Sequence, residues 1–232
     1  MTWKNDLWLS NILEIPCFKP TTEIISDSSN LISPALSGFY QVKVPIKFHS
    51  VISKLILKKF TFFDSHFCFE LKGQLTNRNE SYIYTLGLVE KNQLRSLQAL
   101  AIQSFTNSRY YALSVFNHDR IDRIWSTWIA DAVEDTERIV ISANKNGEII
   151  GFLSVKVLSS NSIEIDLLAI SPIYRRIGLA ETLMRSTSTF LPGYTSIKLE
   201  TETRNTSAVN LYYKLGFRNI ATKLIFYKLY KI

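Results

Sequence analysis

No stretch of the 232-residue chain approaches the roughly 18 to 20 uninterrupted apolar residues that a membrane-spanning helix requires. Its start, MTWKNDLWLSN, also lacks the basic stretch followed by an apolar one that marks an export signal. A soluble, cytoplasmic protein is expected. Cysteine is scarce, with only Cys17 and Cys68, and neither belongs to a spacing typical of a zinc ligand set. One possible disulfide is a weak sign of export, so both are read as buried thiols and no metal site is expected. There is no internal repeat and no low-complexity tract.

What is present suffices for a core. Apolar residues make up 46% of the chain and aromatics 12%, enough for one large domain or two modest ones. The formal charge of +7 favours polyanionic partners, among them nucleic acid, acidic membranes, CoA and nucleotide sugars. Charge alone does not choose. Nucleic-acid binding would require a concentrated basic patch with interleaved aromatics, whereas the basic residues here are dispersed. The densest group, Lys54, Lys58 and Lys59, sits beside Leu55, Ile56 and Leu57 and reads as a solvated helix face. No nucleic acid is expected as a partner.

The polar segment GQLTNRNES, residues 73 to 81, separates two apolar-rich regions. It divides the chain into a small N-terminal α/β domain, residues 1–78, and a second domain, residues 79–232. In the first, a Ser, Thr and Pro-rich stretch precedes an extended run FYQVKVPIKF, a helix through SVISKLILKKF and a strand HFCFELKG. The second opens with a strand YIYTLGLV and a helix KNQLRSLQALAIQSF, whose apolar residues recur at 94, 97, 100, 101 and 105. A further helix covers DRIDRIWSTWIADAVED. Then RIVISANKNGEIIGFLSVKVL reads as a hairpin, because Asn146-Gly147 supplies the positive φ angles of a tight turn. Strand SIEIDLLAI, helix YRRIGLAETLMRSTSTFL, strand TSIKLETE, helix NTSAVNLYYKLGF and strand RNIATKLIFYKLY complete a mixed sheet flanked by helices.

Two segments carry chemistry. The strand SIEIDLLAI runs through a short basic turn into a helix, and such a junction gathers exposed N–H groups and the positive end of the helix dipole at one point. Gly178 lets the backbone approach a ligand where a Cβ would clash, Ala180 keeps the first turn small, and Arg175 and Arg176 supply charge. A pyrophosphate fits this description. In NTSAVNLYYKLGF, Asn205 stands at a helix start, and Ala208 and Tyr212 follow on one face. Gly216 ends the helix. A phenol above a small residue leaves room for a thin ligand and can protonate a departing sulfur, whereas Tyr213 reads as a packing aromatic.

Taken together and in this order, IDLLAISPIYRRIGLAETLM and NTSAVNLYYKLGF resemble the cofactor-binding strand-loop-helix and following Asn/Tyr helix of the GNAT acetyltransferases. The resemblance implies the α/β fold of that family and acetyl-CoA as co-substrate. It further implies that Arg175, Arg176, Ile177, Gly178, Leu179 and Ala180 wrap the CoA pyrophosphate. The backbone of Leu168, Ala169 and Ile170 would bond the pantetheine and the acetyl carbonyl, Asn205 would contact the cofactor, and Tyr212 would be the general acid. A broader likeness, through TWKNDLWLSNILEI, LILKKFTFFDSHFCFEL and FTNSRYYALSVFNHDRIDRIWSTWIADAV, is to the group within it that acetylates a TDP-linked amino sugar. That likeness includes the N-terminal domain and suggests a homodimer and a role in surface glycan synthesis. Another acceptor, such as a protein N-terminus, a polyamine or an antibiotic, stays open.

Transfer to an amine also requires a base. Glu164, Asp166, Glu200 and Glu202 lie on the two central strands, each pair on one strand face, and the competing reading is a surface carboxylate or an arginine partner. For the acceptor, the segment NSRYYALSVFNHDR is expected to face the substrate. Within it Arg109 is a candidate for a diphosphate, Tyr110 or Phe116 for stacking, and His118 or Asp119 for amine deprotonation.

Overall fold

A computed structural model describes residues 3–21, 34–76 and 83–231 of the chain. Among the described residues there are ten strands and seven α-helices. In chain order they are β1 (Trp3–Asn5), α1 (Leu7–Leu13), β2 (Cys17–Pro20), β3 (Gly38–Pro45), α2 (His49–Leu57), β4 (Thr61–Lys72) and β5 (Thr85–Leu88). There follow α3 (Leu94–Ser104), α4 (His118–Glu134), β6 (Arg138–Lys145), β7 (Glu148–Ser159), β8 (Ser162–Ile170), α5 (Leu179–Arg185), α6 (Thr187–Phe190), β9 (Ser196–Glu202), α7 (Thr206–Lys214) and β10 (Arg218–Tyr230). The expected break at 78/79 falls within residues 77–82, outside the described residues, as do the start of the strand expected at Tyr82 and much of the Ser, Thr and Pro-rich stretch.

The chain forms two compact units, neither continuous in sequence. The first comprises Met1–Cys68, Thr201–Thr206 and Asn219–Ile232, and the second Phe69–Glu200 and Ser207–Arg218. In the first, strands follow the order β1-β2-β3-β10-β4, with β2 and β3 parallel and β3 and β10 antiparallel. Its core joins Phe18, Tyr40, Val42, Val44, Phe60 and Phe226 to Val51 and Leu55. These last two stand one turn apart and form the inward stripe of α2. Trp3 meets Tyr40 edge-on at 5.0 Å and stacks on Phe60 at 5.6 Å. Cys17 and Cys68 are both buried free thiols.

In the second unit the order is β9-β8-β7-β6-β5. Strand β7 is buried through seven consecutive residues, Ile149–Val155, as a central strand covered on both faces must be. The hairpin turn joining it to β6 places Asn146 at φ 52° and Gly147 at φ 81°, the primed-turn geometry their sequence predicts. Helix α3 buries Leu97, Leu100 and Ala101, and α4 buries Ile121, Ile124, Trp125, Ile129 and Ala132. Both stripes have helical period. The Asn117 carboxamide caps α4 by accepting from the Arg120 N–H at 3.0 Å.

The helix expected over YRRIGLAETLMRSTSTFL is shorter and broken. A single 3-10 turn covers Pro172–Tyr174, and α5 starts only at Leu179. Arg176 at φ 65° and Gly178 at φ 83° are left-handed and incompatible with a continuous right-handed helix. This interruption opens the turn that carries the candidate site.

Candidate active site

The site is built around the end of β8. Its parallel pairing with β9 runs from Ser162↔Ser196 to Ile165↔Leu199, and Asp166 to Ile170 continue without a partner in β9. On the other edge β8 stays paired with β7, Leu168 opposite Leu153, Ala169 opposite Phe152 and Ile170 opposite Gly151. The register passes from Val155↔Ile165 to Ser154↔Leu167, so Asp166 is the extra residue of a β-bulge. Bulges bend a strand and re-aim its peptide groups. The end of β8 thus offers backbone groups on an open edge, the requirement for holding an acyl carbonyl.

Crowding at this end is met by a residue that sequence reading passed over. A Cβ on Gly151 would lie 2.9 Å from the Ile170 side chain, 3.2 Å from the Ala169 carbonyl and 3.3 Å from Leu179. Only glycine lets β7, β8 and the first residue of α5 come this close. The Ile170 carbonyl in turn accepts from Arg175 Nε at 3.2 Å and from Ser104 Oγ at 3.4 Å.

The turn from Arg175 to Gly178 is exposed. No side chain caps α5, so the orphan N–H donors of its first turn are left for a ligand. Two arginines and a left-handed backbone make the concave, positively charged cradle that suits phosphate oxygens. The reason for glycine at 178 differs from the one expected. A Cβ there would meet nothing within 4 Å, so no part of the protein crowds it. The residue is required by its φ of 83°.

Thr182 fastens this turn to the body of the unit. Thr182 Oγ1 donates to the Gly178 carbonyl at 3.3 Å and accepts from the Tyr84 hydroxyl at 3.1 Å. Glu181 is buried, and its two oxygens accept from Arg185 Nε at 3.0 Å and Lys214 Nζ at 2.7 Å. The Lys214 and Arg185 cations outweigh the penalty of burial and hold the Glu181 carboxyl below its ordinary value.

Tyr212 belongs to the same unit. It is 6% exposed, with its ring against Phe69 at 5.6 Å and Phe217 at 5.8 Å. Burial pushes the phenol up to about 12, so it carries its proton throughout the physiological range. Tyr213, read as the packing aromatic, is instead 52% exposed and touches Phe69 edge-on at 5.2 Å. One position along a helix turns the side chain about 100°, and here it is Tyr212 that points inward. Asn205 immediately precedes α7, and Ala208 is half-buried on it.

The carboxylates expected on the central strands have separate fates. Asp166 pairs with Arg138 Nε at 3.1 Å, and Arg138 also bonds Asp135. Its partner is thus an arginine that the sequence reading did not name. Glu202 accepts from both Arg204 Nε and Nη2 at 3.0 Å. In the first unit Asp64 and His66, alternate residues of β4 and both buried, bring a ligand atom each to within 4.8 Å of Glu202. Arg204 Nη2 lies 3.5 Å from Asp64 and supplies countercharge to this cluster. The period-2 spacing of Asp64 and His66 is visible in the sequence, but the partner strand is not.

Of the expected acceptor-facing residues, Arg109 lies over the Tyr110 ring at 4.6 Å and donates to its hydroxyl at 3.2 Å. Tyr110 and Phe116 are buried at 6% and 3%, which engages both rings in the core. His118 and Asp119 are exposed at the start of α4, where the His118 ring meets Tyr111 at 5.3 Å. The Tyr111 hydroxyl donates to Asp122. Phe105, Trp125 and Trp128 form a ladder of stacked rings at 4.6 and 5.8 Å.

Comparison with known proteins places the chain in a family. Residues 97–217, just over half of the chain, match the acetyltransferase (GNAT) family. The spore coat polysaccharide biosynthesis protein SpsD of Bacillus subtilis (strain 168) is 28% identical over 138 residues. That match covers 58% of this chain and 47% of SpsD, so the chain spans about half the length of this relative. A GCN5-related N-acetyltransferase from Sphaerobacter thermophilus superposes with a TM-score of 0.61 at 13% identity, over 83% of this chain and 60% of that one. A functionally unknown conserved protein from Staphylococcus epidermidis ATCC 12228 gives 0.61 at 13%, over 82% and 73%. At such identity these two establish likeness of fold.

Proposed function

Since the chain belongs to the GNAT family of acetyl-CoA-dependent acetyltransferases, we propose that it transfers an acetyl group to the amine of a nucleotide-linked sugar of the TDP-4-amino-4,6-dideoxyhexose class, as TDP-fucosamine acetyltransferase does, for surface glycan synthesis. The observation that carries the reading is one compact unit holding both an uncapped, left-handed basic turn at Arg175–Gly178 and a buried, protonated phenol at Tyr212. The sugar acceptor draws support from SpsD, whose name places that protein in polysaccharide biosynthesis.

In this reading acetyl-CoA supplies the activated acyl group. The N–H groups of Ile177 to Ala180, with Arg175 and Arg176, hold its pyrophosphate. The open edge of Leu168 to Ile170 receives the negative charge that develops on the acetyl oxygen, a type of stabilisation worth on the order of 10² to 10³ in rate. Tyr212 gives its proton to the sulfur as the carbon–sulfur bond breaks and the new carbon–nitrogen bond forms, the amine nitrogen releases a proton to water, and the phenolate is reprotonated from solvent. Arg109, Tyr110 and His118 belong to the segment that meets the acceptor.

The test is thiol release from acetyl-CoA with a panel of TDP-linked amino sugars beside polyamines and N-terminal peptides. Release with a 4-amino-4,6-dideoxy sugar nucleotide alone is the expected result. Release only with another acceptor class would overturn the substrate assignment and leave the family intact.

A further inference from the structure

Nothing in the mechanism above accounts for a charged side chain sealed inside the catalytic unit, and Glu181 is such a group. Helix α5 begins one residue after Gly178, so Glu181 stands three residues beyond the glycine of the cofactor turn. Its side chain is 11% exposed, and both oxygens are engaged, one by Arg185 on its own helix and one by Lys214 on α7. Lys214 in turn stands two residues beyond Tyr212. The ion pair therefore joins the helix that starts at the cofactor turn to the helix that carries the acid.

A carboxylate taken from water must recover its hydration from fixed partners. The 2.7 Å bond to Lys214 recovers part of it and ties α5 to α7. Other ties of α5 run from Thr182 to the Gly178 carbonyl, from Tyr84 to Thr182 and from Arg185 to the Thr76 carbonyl, and none of these three reaches α7. Apolar packing of Tyr212 on Phe69 and Phe217 holds the ring without fixing its distance from the turn.

We propose that Glu181 is a positioning residue for acetyl transfer, which through Lys214 sets where the Tyr212 hydroxyl stands relative to the cofactor held at Arg175–Gly178. The proposal rests on the reading of Tyr212 as the general acid. Misplacing a reacting group by about 1 Å costs on the order of 10²-fold in rate, and a loosened clamp shifts α7 by less. Substitution of the clamp therefore lowers turnover about tenfold. It leaves binding of acetyl-CoA almost unchanged, because neither Glu181 nor Lys214 belongs to the pyrophosphate turn.

The experiment is a double-mutant cycle on the full chain. Turnover and the Kd for acetyl-CoA are measured for Glu181→Gln and for Lys214→Met, each alone and combined with Tyr212→Phe. Lys214 is mostly exposed, 65% for its side chain, so Lys214→Met folds even where Glu181→Gln does not. Expected are a loss of about tenfold in kcat for each single clamp variant at unchanged Kd, partial recovery with Glu181→Asp, and no further loss when the acid is already absent. If the clamp variants lower turnover equally in the Tyr212→Phe background, or lower only acetyl-CoA affinity, the positioning role is overturned while Tyr212 keeps its own. If Tyr212→Phe alone is without effect, the acid assignment falls and the positioning role with it.

Discussion

At the residue scale the proposal turns on Tyr212. Its phenol is moved from 10.0 to about 12 by burial, so the protonated form persists well above neutrality. Turnover measured against pH is expected to keep Tyr212 active to at least pH 10. An alkaline loss with its midpoint near 10.0 that vanishes in Tyr212→Phe would contradict a buried acid. Gly178 acts through the backbone alone. Forcing an L-residue into its left-handed conformation costs about 1 to 2 kcal/mol, while its Cβ would meet no protein atom. Gly178→Ala is therefore expected to fold with a slightly lower Tm and to bind acetyl-CoA more weakly. Unchanged affinity in calorimetry would remove the turn from the cofactor site.

Residue identities were legible where chemistry and spacing coincide, as in the Arg175 to Gly178 turn and the Asn205 to Tyr212 helix. The inward residue of the Tyr212–Tyr213 pair was not legible, since Tyr213 reads as the packing aromatic and it is Tyr212 that is buried. Glu181 and Asp64 were not legible, since a carboxylate in the first turn of a helix or alternating on a strand is ordinary on a surface. Their partners Lys214 and Glu202 come from distant parts of the chain, and only tertiary structure brings them together.

At the scale of elements, β7, β8 and α5 meet where Gly151 leaves no space. A valine there would press on the Ala169 carbonyl, a backbone atom that moves only if β8 moves. Gly151→Val is expected to destabilise the unit by about 1 to 3 kcal/mol, in the range of overpacked cores, and to lower activity beyond the loss of folded protein. A urea midpoint matching the parent would show that β8 yields without cost. Hairpin β6–β7 and helices α3 and α4 were readable from periodicity and turn chemistry. The long helix expected after Ser171 was not, because the left-handed Arg176 gives no sign in composition. Glycine at 178 does give one, and it could have marked the helix start.

At the scale of the whole molecule, buried neutral groups, Cys17 and Tyr212 among them, make stability depend on alkaline pH. Burial raises Cys17 from 9.0 and Tyr212 from 10.0, each to about 12. For a group whose pKa is raised on folding, the stabilisation is complete below the unfolded value and disappears as pH climbs through the folded one. The urea midpoint is therefore expected to hold to about pH 9 and to fall between 9 and 12. The same burial predicts that Cys17 resists alkylation in the native protein and reacts after denaturation. Rapid labelling of the folded chain at pH 8 would refute it. The break expected at 78/79 lies outside the described residues, and the compact units recruit residues 201–206 and 219–232 to the first. No composition shift announces strands that return from the far end of the chain.

The most direct test of the account compares the parent chain with Tyr212→Phe in thiol release from acetyl-CoA, with a TDP-linked 4-amino-4,6-dideoxy sugar as acceptor and cofactor affinity measured in parallel. The account predicts release by the parent chain, a loss of about 10² in kcat for the variant, within the span of general acid catalysis, and the same Kd for acetyl-CoA in both. Equal rates in the two proteins would contradict it.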